Sequence, residues 1–258
     1  YYLALNQDVL MEPDYIAKLA EACEKNPHIG SAQGKIKQLT FERKTNMIDS
    51  LGLKLRRSGQ AVNIAENEYD HGKHEEQEYI FGVAGTVPLY RRKALEDVSL
   101  QGPFAISGKE YFDETFFAYK EDMDLAFRLQ LRNWRSIYVP TAVAYHERTV
   151  ASQGSGEEGD MAIVKNRQNK SKFARKVSFR NHHYLQQKNL LWGNFLHNAP
   201  EMMWYEIKMW GYGIAREPFL LPDMAKVFAK WPEMNRKRRQ IMSRRKAEAT
   251  DIQKWFED

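Results

Sequence analysis

Cysteine is nearly absent. Cys23 is the single one among 258 residues, which excludes an intrachain disulfide framework and a thiolate zinc cluster and points to a reducing compartment. Long apolar runs are missing too: stretches such as Leu190-Leu191-Trp192 fall far short of a membrane span, and no secretory apolar segment opens the chain. There is no internal repeat and no low-complexity tract. What is present is a core: 43% of the residues are hydrophobic, and 13 Phe, 13 Tyr and 6 Trp exclude a disordered chain. The length suits one large domain, alone or with an appendage.

The net charge of +5 is unevenly spread. Lys226 to Lys246 holds nine basic residues against Glu233 alone, a net of +8 that leaves −3 for the rest. A second basic stretch runs from Lys165 to Arg180 without an acid. Such a tail reads either as a solvated helix face or as a surface for an anionic partner.

The first part of the chain mixes strand and helix patterns, as an α/β domain should. Tyr1-Tyr2-Leu3-Ala4-Leu5 reads as a strand buried on both faces of a parallel sheet. Such a strand needs neighbours on both sides, so the chain is expected to be a piece whose earlier βαβ portion precedes Tyr1. Pro13 then starts a helix with Tyr15, Ile16, Leu19 and Cys23 on one face. Ile80 to Tyr90 reads as a buried strand broken by a glycine bend, Arg91–Val98 and Glu121–Arg132 as helices, and Ser136–Val139 and Ala142–Tyr145 as short strands. Residues 1–148 are therefore expected to form the α/β domain. Residues 149–161, with three glycines and no apolar pattern, are expected to be a flexible loop. Residues 162–258 read as helical, basic and aromatic, with no strand.

Three places can carry chemistry. Asn6-Gln7-Asp8 follows the first strand, where α/β sheets bind ligands; it is either a simple turn or a carboxylate for a hard cation. Glu121-Asp122-Met123-Asp124 opens a helix; the carboxylates either complement the helix dipole or include a general base whose pKa its neighbours raise. His146, at a strand end, is either a packing residue or a third metal contact.

The order of these elements carries more than any one of them. Phe112 to Arg128 (Phe-Asp-Glu-Thr-Phe-Phe-Ala-Tyr-Lys-Glu-Asp-Met-Asp-Leu-Ala-Phe-Arg), followed by Trp134 and Tyr138-Val139-Pro140, resembles family 2 glycosyltransferases of the GT-A fold, and among them the rhamnosyltransferase-like branch. Leu5-Asn6-Gln7-Asp8, Gly82-Val83-Ala84-Gly85, Leu89-Tyr90-Arg91-Arg92, Arg180-Asn181 and Lys188-Asn189 agree. The resemblance implies a GT-A-like, Rossmann-like mixed sheet lacking its N-terminal nucleotide-binding strands, followed by a helical C-terminal region. It implies inverting transfer of a sugar from a nucleoside-diphosphate donor to a saccharide or lipid-linked saccharide, as in cell-surface polysaccharide or glycolipid synthesis. Asp122 takes the place of the catalytic base and Glu121 of a residue orienting the site. Asp8 and His146 match contacts of a divalent cation, Mn²⁺ or Mg²⁺; Asn6, where the family's motif begins with Asp, is a departure. Gly85 would let backbone approach the sugar, and Asn6, Asp124 and Arg128 would bind substrate. Without the strands that grip the nucleotide, the 258-residue chain is expected to be inactive by itself.

The segment Met202 to Ile214 is dense in Met and aromatic residues. It reads as a packed helix or, with the basic stretch ending at Lys246, as a peripheral surface (202–246) for anionic lipid on the cytoplasmic face of a membrane. Nucleic acid is not expected as a partner, because no recognition motif accompanies the basic residues. A nucleic-acid-binding module and a nucleotidyltransferase of similar fold are the competing readings.

Overall fold

The computed structural model describes residues 1–102, 108–147 and 170–257. The expected loop at 149–161 lies outside them. The strands are β1 (Tyr2–Leu3), β2 (Val9–Met11), β3 (Ile29–Thr40), β4 (Arg43–Ser50), β5 (Leu53–Arg56) and β6 (Ala61–Asn63). They continue with β7 (Glu78–Ile80), β8 (Leu89–Tyr90), β9 (Leu100–Gln101), β10 (Lys109–Glu110), β11 (Arg135–Glu147) and β12 (Phe256–Glu257). The helices are α1 (Tyr15–Glu24), α2 (Arg92–Val98), α3 (Glu121–Leu131), α4 (Lys172–Asn189) and α5 (Trp192–His197). After them come α6 (Ala199–Arg216), α7 (Leu221–Ala229), α8 (Trp231–Ser243) and α9 (Ala249–Gln253). This mixed α/β sheet with a helical C-terminal region is the fold class that the resemblance implied.

The chain packs as two units interleaved in sequence. The first comprises Tyr1–Leu53, Asn63–Asp97 and Trp134–Lys172; the second comprises Lys54–Val62, Val98–Asn133 and Phe173–Asp258. The carboxylates that open α3 thus belong to the unit of the C-terminal helices, and Asp8 and His146 to the other.

In the first unit a mixed sheet runs β1-β8-β3-β11-β2, with β4 on β3 and β7 on β11. The β3–β11 pair is parallel and the others are antiparallel. The two short strands expected after Ser136 are one strand, β11, whose register against β3 shifts between Val139 and Val143. Pro140 sits in that shift, where a residue without an N–H is tolerated. Helix α1 buries Tyr15, Leu19, Ala22 and Cys23 against Ile36, Val87, Ile137 and Ala142, while Ile16, expected inside, is exposed. The Tyr15 hydroxyl donates to Val87 O at 3.0 Å and accepts from Gly34 N at 3.2 Å. A Cβ at Gly34 would come within 2.1 Å of Ala142 O, so only glycine lets β3, β11 and the Tyr15 ring approach this closely.

The opening residues differ from expectation. Strand β1 is two residues long, pairs antiparallel with β8, and leaves Tyr1, Tyr2 and Leu5 exposed. It stands at the end of the strand order, with a partner on one side only among the described residues. An apolar run reads the same at a sheet edge as at its centre, which is why periodicity misjudged it.

The second unit is built around buried charge. Asp113, Asp124, Arg128, Lys188 and Lys237 are each at most 2% exposed. Asp113 accepts from Lys188 and from Lys237 (2.5 Å), and Asp124 from Arg128 (2.9 Å), Lys188 (2.7 Å) and Asn189 (2.7 Å). Arg128 also donates to the carbonyls of Val98 and Tyr111, both at 2.7 Å. Removing one member of such a set strands its partner and costs about 3–5 kcal/mol. The paired lysines hold Asp113 well below the ordinary carboxylate range although burial opposes them.

Part of the basic stretch is spent on this framework. Besides Lys237, Arg238 donates to the carbonyls of Gln187, Lys188 and Leu190, and Arg244 to that of Ser99. Lys226, Lys230 and Arg245 pair with Asp223, Glu233 and Glu248. Lys237 alone among the nine basic residues is buried, whereas Lys226, Lys230, Arg236, Arg239, Arg244, Arg245 and Lys246 remain exposed, so the stretch both braces the unit and presents a basic face. The region also holds a strand, β12, which pairs with β5; two residues are too short for a periodicity.

A polar cluster links α4 to α6. His182 stands 2.8 Å from Glu206 Oε1, and His183 donates from Nδ1 to Phe179 O and accepts from Trp210 Nε1 at 2.9 Å. Burial pushes His182 down to about 4, against an ordinary 6.5. Glu206 is lowered too: burial opposes this, and the neighbouring imidazoles of His182 and His183 outweigh it. His182 is depressed in the fold, so its contribution is complete above about 6.5 and is lost as the pH falls through 4, while Glu206 adds its own loss only below about 4.5. The unfolding free energy from urea titrations is expected to drop across the His182 window by up to about 1.4 kcal/mol per pH unit for each proton taken up. His182→Gln is expected to flatten the drop, and an equally steep fall in that variant would contradict the assignment.

Candidate active site

In the first unit, strand pairing brings two of the expected residues together. Strands β2 and β11 run antiparallel with Val9 opposite His146, and Glu147 N donates to Asp8 O at 2.9 Å. The His146 imidazole lies between two carboxylates: Nδ1 is 3.0 Å from Asp49 Oδ2 and Nε2 is 3.4 Å from Asp8 Oδ1. Asp49, on β4, is 2% exposed, whereas the Asp8 side chain is half in solvent. A carboxylate only accepts, so Nδ1 carries a proton toward Asp49, and in the neutral imidazole this leaves the Nε2 lone pair facing Asp8.

Two electron-pair donors facing each other across this gap want a positive charge between them. Ligands placed side by side on an Mg²⁺ or Mn²⁺ ion are roughly 3 Å apart, so the pair fits a divalent cation in spacing and in donor chemistry. Among the described residues no group of three or more His, Cys, Asp or Glu side chains is placed to hold a metal ion. One carboxylate and one imidazole suit an ion that takes its remaining ligands from water and substrate oxygens. Asp49 was not singled out from the sequence, because β4 (Arg-Lys-Thr-Asn-Met-Ile-Asp-Ser) is mostly polar and one more carboxylate in it gives no signal.

Asn6 and Gly85 lie on neighbouring stretches of the same unit: Asn6 N donates to Thr86 O at 3.0 Å. The bend before Gly85 is held by Gln33, a buried side chain on β3 whose Oε1 accepts from Ala84 N at 2.6 Å. Gly85 is not among the glycines at positive φ. Arg91, part of the family-like Leu-Tyr-Arg-Arg stretch, donates to the carbonyls of Cys23, Asn26 and Ile29 and fixes the turn after α1.

In the second unit the acidic run divides by helical position. Asp124 and Arg128, expected to touch substrate, are turned inward into the buried ionic set, which occupies Arg128 and both Asp124 oxygens. They position α3. Glu121 and Asp122 remain at its start; Asp122 Oδ1 accepts from Met123 N at 2.8 Å. Burial, and then the adjacent Asp122 carboxylate, raise Glu121 above its ordinary value, while Glu121 Oε2 finds no hydrogen-bond donor among the described residues. The crowding expected of this run therefore acts on Glu121.

The backbone entering α3 is strained. Phe117, Tyr119 and Lys120 have φ of 60°, 63° and 70°, the left-handed region that non-glycine residues seldom adopt. Asn181 on α4, fully buried, holds this turn through Nδ2, which is 2.8 Å from each of the Phe116, Ala118 and Tyr119 carbonyls. Asn181 belongs to the family-like Arg-Asn pair, yet nothing in its spacing showed this task.

The family model described as Glycosyl transferase family group 2 matches residues 3–214, most of the chain. The chain belongs to that family. Among solved structures it is similar to one titled "Crystal structure of GalNAc-T7 with UDP, GalNAc and Mn2+", at 12% sequence identity and a TM-score of 0.49. That match covers 93% of this chain and 38% of the other, so this chain spans well under half the length of that protein. No curated protein matches.

Carbon-detected NMR of the carboxyl groups tests the local electrostatics. Glu121 is expected to titrate above 4.5, and Asp122→Asn to bring it down without restoring the ordinary value, because burial remains. A Glu121 titration unmoved by that substitution would contradict the arrangement.

Proposed function

We propose that this protein transfers a sugar from a nucleoside-diphosphate donor to a hydroxyl of a saccharide or lipid-linked saccharide, with inversion. A rhamnosyl donor and a role in cell-surface polysaccharide or glycolipid synthesis are part of the proposal. Beyond family membership, the observation that carries it is His146 held by Asp49 with its free nitrogen turned to Asp8. Asp8 and His146 hold the divalent cation, which when bound offsets the charge of the departing diphosphate. Asn6 and the Gly85 bend lie against the donor. Asp122 takes the proton from the acceptor hydroxyl, so that the oxygen attacks the anomeric carbon as the bond to phosphate breaks on the opposite side. Glu121, beside Asp122 at the start of α3, orients the site or the acceptor.

Sugar transfer by the complete gene product, supplied with a panel of nucleoside-diphosphate sugars, tests the assignment. Asp122→Asn is expected to lower kcat by about 10²- to 10⁴-fold, the usual contribution of a positioned base. A variant that keeps its rate would remove Asp122 from the reaction.

A peripheral membrane site on the cytoplasmic leaflet is the second element, supported by one observation. Helices α5 and α6 expose Trp192, Leu196, Met203, Trp204, Ile207 and Ile214, while α6 turns Met202 and Met209 inward. Lys208 lies 5.6 Å from the Trp204 ring, a pairing of ring and ammonium suited to headgroup depth. Among the described residues no helix is long and apolar enough to cross a membrane. Co-sedimentation with phosphatidylglycerol vesicles is expected, and Trp204→Ala with Ile207→Ala is expected to reduce it severalfold. A chain that stays in the supernatant at low salt would end this reading.

A further inference from the structure

Phe116 and Phe117 are adjacent in sequence and opposite in fate. Phe116 is fully buried, with its ring 6.4 Å from that of Tyr184. Phe117 is 80% exposed, the adjoining Tyr119 48%, and Phe173 on α4 52%. Phe173 stands edge-on to Phe117, centroids 6.2 Å apart at 84°. Each left-handed residue in this turn costs on the order of 1–3 kcal/mol, and two of them hold rings that gain little burial in return. Phe41 is also exposed with positive φ, but with Glu42 it forms the two-residue turn of the β3–β4 hairpin, where such angles are required. The Phe117–Lys120 turn closes no hairpin. It is fixed instead by Asn181, so the backbone that carries these rings is set before anything binds.

We infer that Phe117 and Tyr119, with Phe173 edge-on to Phe117, form a stacking platform for a pyranose ring of the acceptor. The inference rests on the transferase reading and deepens it. The patch is aromatic and followed by Lys120, two residues before the proposed base. A flat ring with hydroxyls at its rim matches this surface: its C–H face lies on an aromatic face, and its hydroxyls reach the Tyr119 hydroxyl and water. The exposed face of α5 and α6, by contrast, mixes Leu, Ile and Met with Trp, a composition suited to acyl chains.

Saturation-transfer NMR with four probes tests this: the methyl glycosides of α-L-rhamnose, β-D-glucose, β-D-galactose and α-D-mannose. At least one is expected to bind the wild-type chain, and Phe117→Ala and Tyr119→Ala to weaken it about fivefold or more, the loss of one aromatic contact. Phe117→Tyr, which keeps a ring, is expected to retain binding, and Phe41→Ala to leave it unchanged. Absence of binding by all four sugars would overturn the inference. So would wild-type affinity in both alanine variants, or capture of phosphatidylglycerol vesicles that Phe117→Ala abolishes. Sugar binding that depends on these rings, together with transfer unaffected by Asp122→Asn, would leave the platform standing and remove the proposed base.

Discussion

The register of β11 is the constraint on which the first unit depends. This strand of thirteen residues pairs in parallel with β3 and antiparallel with β2 and β7. Because side chains alternate across a strand, a slip of one residue would turn His146 to the opposite face and away from both Asp8 and Asp49. The slip is opposed at several points. Gly34 admits the Ala142 carbonyl and the Tyr15 ring where no Cβ fits, Ser31 and Ser136 bond side chain to side chain at 2.8 Å, and Lys18 reaches Thr141 O inside the register shift. Packing at one end of the sheet thereby fixes which ring nitrogen meets which carboxylate at the other.

The second unit solves a different problem, that of holding an acidic helix start in place. Asp113 and Asp124 are buried with Lys188, Lys237 and Arg128, so the charges nearly balance and each has an oriented partner. Replacing such a set by apolar residues is often no loss in stability; what the ions supply here is direction. They lock α3 in rotation, so that carboxylates two and three positions apart cannot exchange roles: Asp124, with Arg128, faces inward while Glu121 and Asp122 stay at the helix start. Asn181 completes this by bonding the carbonyls that the left-handed turn would otherwise leave unpaired.

Much of this was legible in the sequence, and the rest failed for physical reasons. Helices α2 and α3 fall within a residue of their expected bounds, because both have clear starts and strong 3.6-residue patterns. The acidic run and His146 stood out as polar groups at the ends of apolar elements. The β3–β4 hairpin was not read at all: its turn is Phe41-Glu42, without the Asn or Gly that usually signals one. Asp124 and Arg128 share the motif of Glu121 and Asp122, and sequence spacing alone does not say which turn of a helix faces inward. The internal tasks of Lys237 and Arg238 went unread because their partners, Glu110, Asp113 and the α4 carbonyls, are a hundred or so residues away or belong to the backbone. Long-range pairing of this kind leaves no local pattern.

The central claim is that Asp49 holds His146 so that its free nitrogen, with Asp8, receives a divalent cation. Manganese binding followed by electron paramagnetic resonance measures this without any sugar substrate. With Asp49→Asn, which keeps shape but loses the charge that fixes the imidazole proton, affinity is expected to fall about 10- to 100-fold, as for other residues that orient a metal-binding histidine. Affinity equal to wild type in Asp49→Asn, or no binding by the wild-type chain, would contradict the account.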